Sequence, residues 1–277
     1  KLVLHNDNIN KVASPCAASN NDTTAAYARY SGTTYTTKFN SAINDNAYVG
    51  FMYGTPGLST YAETHKNSNK STILQNLEKW YNTYISAYES KIADTIWCND
   101  KSVYKSTSFK TWGINSIGTK YGIGTNANFY SATPRLITSG NEAGGTGPIL
   151  TCPNDNLGGK LSKLTVSDTV NGNGALDKKI GLLTIDEIVF AGGERYSANT
   201  TFYLYENATN TFWWSLTPGA YGGGDTAVKT WGYKNGGEYV FVIEDNTNGA
   251  LRPAISLKSI TTISKGTGTS SDPYVIN

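Results

Sequence analysis

Leu183-Thr184-Ile185-Asp186-Glu187, followed at short range by Ala191-Gly192-Gly193, constrains this chain more than any other stretch. Thr184 and Glu187 stand in T-x-x-E spacing, so each side chain can accept the other's free backbone N–H at a helix start. Gly192-Gly193 offers a left-handed helix end without the steric penalty of a Cβ. The segment is therefore a short helix with both ends specified. After it, Phe212-Trp213-Trp214-Ser215-Leu216 reads as an aromatic strand, and Ala250-Leu251-Arg252-Pro253-Ala254-Ile255-Ser256-Leu257 as a returning one.

Helical periodicity appears at one other place. Ile73, Leu74, Leu77, Trp80, Tyr81, Tyr84, Ile85 and Tyr88 recur at three- and four-residue spacing, which predicts a helix from Ser71 to about residue 90 with an aromatic core face. Strand character is expected at Leu2-Val3-Leu4, Thr33–Thr37, Tyr48–Gly54, Leu164–Ser167, Ile180–Leu183, Thr201–Tyr205, Lys229–Tyr233 and Glu238–Ile243, with a last short strand before the C-terminal residue. Thr107 to Gly147, broken by Gly, Ser and Asn, reads as a long surface excursion. The fold class that follows is α+β: two main helices on a mostly antiparallel sheet, with many loops.

The chain has 277 residues and a net charge of +2, with 16% charged residues, which gives no field for nucleic acid or an anionic membrane. Gly (29), Thr (35) and Asn (28) make up a third of the chain, a turn-rich and β-rich composition. Six Trp and 19 Tyr supply enough apolar area to argue against disorder. That composition leads to the expectation of a secreted protein; no apolar stretch is long enough to cross a bilayer, so no membrane insertion is expected, and either a leader was removed or the sequence begins after it. Of Cys16, Cys98 and Cys152, the last two follow apolar residues at the ends of buried segments and are expected to form a disulfide; three reduced thiols are the alternative. A zinc site is disfavoured by the lack of a Cys-x-x-Cys pair and by only two histidines, His5 and His65.

The order of capped helix, tryptophan strand and returning strand resembles the C-type-lectin-like fold, in the branch holding the formylglycine-generating enzymes and the variable proteins of diversity-generating retroelements. Those families carry Leu-Pro-Thr-x-x-Glu followed by Ala-x-x-Gly-Gly; here Leu183 replaces the proline and the spacing is slightly shorter. Their closing Gly-x-Arg-x-x-Arg is similar to Gly249-Ala250-Leu251-Arg252-Pro253-Ala254, with the glycine displaced and the second arginine missing. A broader resemblance is to secreted or pilin-like surface proteins of Gram-positive gut bacteria. It rests on Ala47–Gly54, Ile92–Asp100, the capped helix, Trp213–Pro218, Arg252–Leu257 and Asp272–Ile276. The resemblance implies a C-type-lectin-like domain over residues 46–277, after an extended N-terminal segment, residues 1–45.

Chemistry is hard to place. No cysteine follows Cys152, so the reactive pair of the formylglycine-generating enzymes is missing, and two histidines cannot supply an iron centre of three. Asp186-Glu187 is the best carboxylate candidate, but capping already explains Glu187. Asp94, Asn99 and Asp100, and the run Glu244-Asp245-Asn246-Thr247-Asn248-Gly249, read as turn-forming residues in preference to calcium ligands. The expected function is ligand binding and not catalysis, with no cofactor and no metal. It is that of an adhesin or pilus-associated subunit at the cell surface, meeting a host or neighbouring-cell protein or glycan, or other surface subunits. The resemblance places the ligand face after the tryptophan strand, at Tyr221, Trp231, Tyr233, Asn235 and Tyr239, where tyrosine and tryptophan give large contact area at low entropic cost; the alternative is that these aromatics are ordinary sheet residues. The alternatives are a self-assembling filament or surface-layer subunit, whose Leu2-Val3-Leu4 would add to a neighbour's sheet edge, and a carboxylate-dependent hydrolase.

Overall fold

A computed structural model describes residues 1–3, 29–30, 33–58, 63, 65–104, 128–136, 145–154, 163–167, 175–194, 199, 202, 204, 212–222, 227–234, 240–267, 272 and 274–277. In chain order the elements are β1 (Leu2–Val3), β2 (Arg29–Tyr30), β3 (Thr33–Thr34), β4 (Thr36–Thr37), β5 (Met52–Tyr53), β6 (Asn69–Lys70) and α1 (Thr72–Tyr84). There follow β7 (Trp97–Cys98), β8 (Val103–Tyr104), β9 (Asn128–Tyr130), α2 (Ala132–Leu136), β10 (Lys163–Leu164) and α3 (Ile185–Phe190). The C-terminal third holds β11 (Phe212–Tyr221), β12 (Val228–Lys234), β13 (Val240–Glu244), β14 (Gly249–Ala250), β15 (Ala254–Ile255), β16 (Ile263–Lys265) and β17 (Val275–Ile276). The class is α+β, with few helices and several sheets.

The longest strand, β11, organises the main sheet. β12 lies antiparallel along one edge, with Trp213 opposite Tyr233, and β13 continues outward from β12. On the other edge β14 runs parallel, Trp213 opposite Ala250, and β4 pairs with β14. At the far end of β11, Ala220 and Tyr221 pair with β9, which carries β8. Phe212 is partly buried and every other residue of β11 is buried, so both faces of the strand are covered.

Side-chain alternation sends neighbouring residues of a strand to opposite faces. Trp214 and Leu216 therefore join one core with Ile73, Leu74, Leu77, Trp80 and Tyr81 of α1. Trp213 joins the other, with Trp231 and Tyr233 of β12, Ala132 and Leu136 of α2, and Ile185 and Ile188 of α3. The helices thus cover opposite faces of one sheet. Trp214 also donates its indole N–H to the Thr37 carbonyl at 2.9 Å, tying β11 to β4 across 177 residues of sequence. Residues 36–39 consequently belong to the packed fold, since β4 lies in the main sheet and Phe39 is fully buried, although they precede residue 45.

Both expected helices form. Ser71 caps α1 by accepting from the Leu74 N–H. The α-helix ends at Tyr84 and tightens into a 3₁₀ turn over Ser86–Lys91. Three residues per turn advance the chain faster than 3.6, which rotates Tyr88 about 60° off the core face. Tyr88 is accordingly exposed, against the expectation of a stripe running to residue 90.

The returning strand is broken into pieces. β14 joins the main sheet, β15 pairs with β1, and Arg252-Pro253 intervenes, where proline has no N–H to give a ladder. Tyr48–Gly54 yields strand only at β5, because the Asp45 carboxylate accepts from the Ala47 N–H and starts a 3₁₀ turn over Asn46–Tyr48. Ile180–Leu183 is buried but contributes only a bridge from Gly181 to Ala254. The expected surface excursion contains β9 and the buried helix α2; the rest of Thr107–Gly147 before residue 145 lies outside the described residues, as does most of Thr201–Tyr205.

Asp245 follows β13 and is fully buried, its N–H on the Val228 carbonyl and its own carbonyl accepting from Asn40. Burial pushes its carboxyl well above the usual carboxylate range. The folded-state pKa thus lies above the unfolded value of about 3.9. Stability tied to this group is complete below the unfolded value and is lost as pH rises towards the folded one. Asp245→Asn should therefore gain stability over the parent as urea melts move from pH 4 to pH 8. An identical pH dependence in the two proteins would contradict this.

Candidate ligand-binding cleft

A cleft of about 460 Å³ lies where α2, α3, β7 and the segment 149–153 meet. The helix start at Thr184 positions one wall. The Thr184 hydroxyl accepts from the Glu187 N–H at 3.1 Å, and the Glu187 carboxylate accepts from the Thr184 N–H at 2.9 Å. The Ile185 N–H is met by Thr217 Oγ1 from β11 at 3.0 Å, so three donors of the helix start are used. At the other end Gly192 has φ +109°, with its N–H on the Val189 carbonyl and the Gly193 N–H on the Ile188 carbonyl. This pair of bonds is a Schellman closure, and it ends the helix after six residues.

The floor is a buried ion triad. Arg135 of α2 donates through Nε to Asp186 Oδ1 and through Nη2 to Asp186 Oδ2, both at 2.9 Å, a two-pronged grip that also fixes the carboxylate plane. Nη2 reaches Asp100 Oδ2 at 3.0 Å as well. The Ile149 N–H adds a third bond to Asp186, and Ser102 satisfies Asp100 through its N–H and its hydroxyl. Burial works against the Arg135 charge, but its bonds to Asp186 and the charge of Asp100 outweigh that and raise its pKa. Gly145 lets the 145–150 segment lie against α2: it has φ +98°, and a Cβ there would sit 2.3 Å from the Pro134 carbonyl oxygen.

The remaining wall is cross-linked. Cys98 and Cys152 form a disulfide with Cα atoms 5.3 Å apart, and Cys98 is held in β7 by pairing with β10. Closing a loop of 54 residues removes roughly 4 kcal/mol of unfolded-chain entropy in the loop model. The cross-link sets segment 149–153 beside Ile96. Ile96 and Leu150, both lining the cleft, are 46% and 58% exposed, so the mouth is apolar while the floor is charged. Lys1 closes one corner: its ammonium lies 2.7 Å from Glu187 Oε1 and 4.7 Å from the centre of the Trp97 ring.

The residues expected to form a ligand face fall elsewhere. Tyr221, Trp231 and Tyr233 are buried, at no more than 1% exposure. Alternation along β12 directs Trp231 and Tyr233 to the side that α2 and α3 cover, and Tyr221 packs with Val49, Tyr130 and Val228. These three are core residues, which corrects the expected exposed face; Asn235 and Tyr239 lie outside the described residues. Asp94 accepts from the Val166 and Ser167 N–H groups, and Glu244 to Asn248 forms a turn. Among the described residues no group of three or more His, Cys, Asp or Glu is arranged to hold a metal ion.

Of the cleft residues, the sequence singled out Asp100, Thr184, Asp186, Glu187 and the two cysteines but not Arg135, Ile96, Leu150 or Lys1. One signal for Arg135 existed. Only four arginines occur in the chain, and this one directly precedes Leu136-Ile137, an apolar setting that asks for a carboxylate partner. Compared with known proteins, the chain matches no family model, no curated protein and no solved structure.

Two substitutions test these assignments. Arg135→Ala leaves two buried carboxylates without their cation and should cost about 3–5 kcal/mol in urea melts. Adding Asp100→Asn and Asp186→Asn should return part of that loss; a triple variant no better than the single one would contradict the ion-triad account. Trp231→Ala should cost about 3–5 kcal/mol as a core cavity, comparable with Trp80→Ala. A melting temperature unmoved by Trp231→Ala would restore an exposed role for that ring.

Proposed function

We propose that this chain is a secreted or cell-surface ligand-binding protein, built on a C-type-lectin-like domain and acting as an adhesin or pilus-associated subunit. The observation that carries the reading is the cleft itself: a floor of buried, mutually satisfied charges, one covalently cross-linked wall, and exposed Ile96 and Leu150 at the mouth. A cavity with apolar walls and a few convergent polar groups is the default binding site of a fold. Its rigidity spares a ligand the cost of ordering the site. Asp186 and Asp100 each already accept three hydrogen bonds, and Glu187 serves the cap and Lys1. Carboxylates held this way favour recognition over general-base chemistry. The disulfide supports an extracellular location, since such bonds persist in oxidising compartments. Among the described residues no helix is long and apolar enough to cross a membrane.

The ligand is a protein or glycan of a host or neighbouring cell. A glycan array and a pull-down from extracellular matrix, read with the parent protein and with Leu150→Asp, test this. Leu150→Asp should lower binding by a hot-spot amount, about 2 kcal/mol or more, with the melting temperature shifted by no more than a few degrees. Binding unchanged by Leu150→Asp and by Ile96→Asp would move the site away from the cleft.

A further inference from the structure

The N-terminal strand meets the fold through a small and self-contained set of contacts. Leu2 pairs with Ile255 and Val3 with Ala254, antiparallel. Ala254 spends both its backbone groups on Gly181, N–H to carbonyl at 2.8 Å and carbonyl to N–H at 3.1 Å. Alternation along the ladder leaves the Ile255 groups facing β1, so Leu2 and Ile255 are the hydrogen-bonded pair. Val3 packs against both main cores at once, and Lys1 lies between the Glu187 carboxylate and the Trp97 ring. Without β1 the acceptor strand would still be held by Gly181, while the Val3 position and the outer edge of Ile255 would stand open. That vacated edge is a slot for an extended segment reading cation, any residue, β-branched apolar.

We propose that this slot is an interface between copies of the chain, filled in trans by Lys1-Leu2-Val3 of a second copy. Two observations argue for that occupant. The complementarity is already displayed by the same segment within one chain, and an exchanged strand makes identical contacts, which is why swapping is a low-cost route to assembly. Among the described residues β1 pairs through two ladder positions and Leu2 is half exposed; short, partly exposed elements lie towards the low end of the range of opening energies. The inference does not rest on the ligand cleft, although Lys1 and Glu187 border both.

Two differently tagged copies of the chain, both carrying Cys16→Ser, provide the test. One bears Leu2→Cys and the other Ile255→Cys, positions about 5.5 Å apart at Cα in a hydrogen-bonded antiparallel pair, within disulfide range. Mixed at rising concentration in an oxidising glutathione buffer, they form a mixed disulfide dimer above the level of random collision only if β1 of one chain lies on β15 of the other. The dimer should exceed by about tenfold that formed by Leu2→Cys with Thr83→Cys, an exposed position on α1 that reports random collision. Val3→Asp in the Leu2→Cys chain should reduce it about tenfold, the factor expected from losing the contacts of one partly buried valine and placing a charge there. A yield equal to the collision control at every concentration would overturn the proposal. So would a dimer indifferent to Val3→Asp, which would place the contact between copies on another surface.

Discussion

Burial of β11 on both faces is the constraint on which the rest of this structure depends. Trp213 and Trp214 are consecutive and fully buried, one in each core. A strand holding such a pair must be covered from both sides, and α1 covers one while α2 and α3 cover the other. Each large side chain contributes on the order of 2 kcal/mol by leaving water, so no single-layer arrangement would be stable. The covering helices are then obliged to sit where their ends, and the residues capping them, surround the start of α3.

The cleft is a product of that placement. Packing α2 and α3 against the same face brings Arg135 and Asp186 within hydrogen-bond reach, and the chain leaving β7 adds Asp100. Two carboxylates and one guanidinium taken out of water are costly unless every donor and acceptor finds a partner. Here the spare acceptors are met by Ile149 and Ser102. A satisfied polar network of this kind fixes one arrangement of the surrounding segments. The disulfide holds the opposite wall to the same frame. Rigidity at the floor and exposed apolar side chains at the mouth are properties of binding sites, and they arise here from the needs of the sheet.

Local interactions were legible in the sequence because they are local. The T-x-x-E box joins residues three apart, the Schellman closure residues within five, and the face of α1 repeats every turn, so pattern alone predicts them. The strands around Trp213-Trp214 and in β12 and β13 were legible for the same reason. The pairing of Cys98 with Cys152 followed from both lying at the ends of apolar runs. Where local signals misled, a neighbour intervened: Pro253 broke the returning strand, and the Asp45 side chain turned the chain before β5.

Which side of a strand meets water is another matter. Trp231 and Tyr233 have the composition of a ligand face, and nothing within ten residues of them says that α2 and α3 lie above. Their cover comes from Ala132, Leu136, Ile185 and Ile188, as far as about a hundred residues earlier. The cleft has the same origin, since Arg135 and Asp186 are 51 residues apart and Lys1 and Glu187 are 186 apart. The sequence by itself determined the helices, their caps and the aromatic strands, because those depend on spacing along the chain. Only the tertiary structure decided which aromatics are core and where the charged floor forms, because burial and ion pairing depend on distances in space that no local pattern encodes.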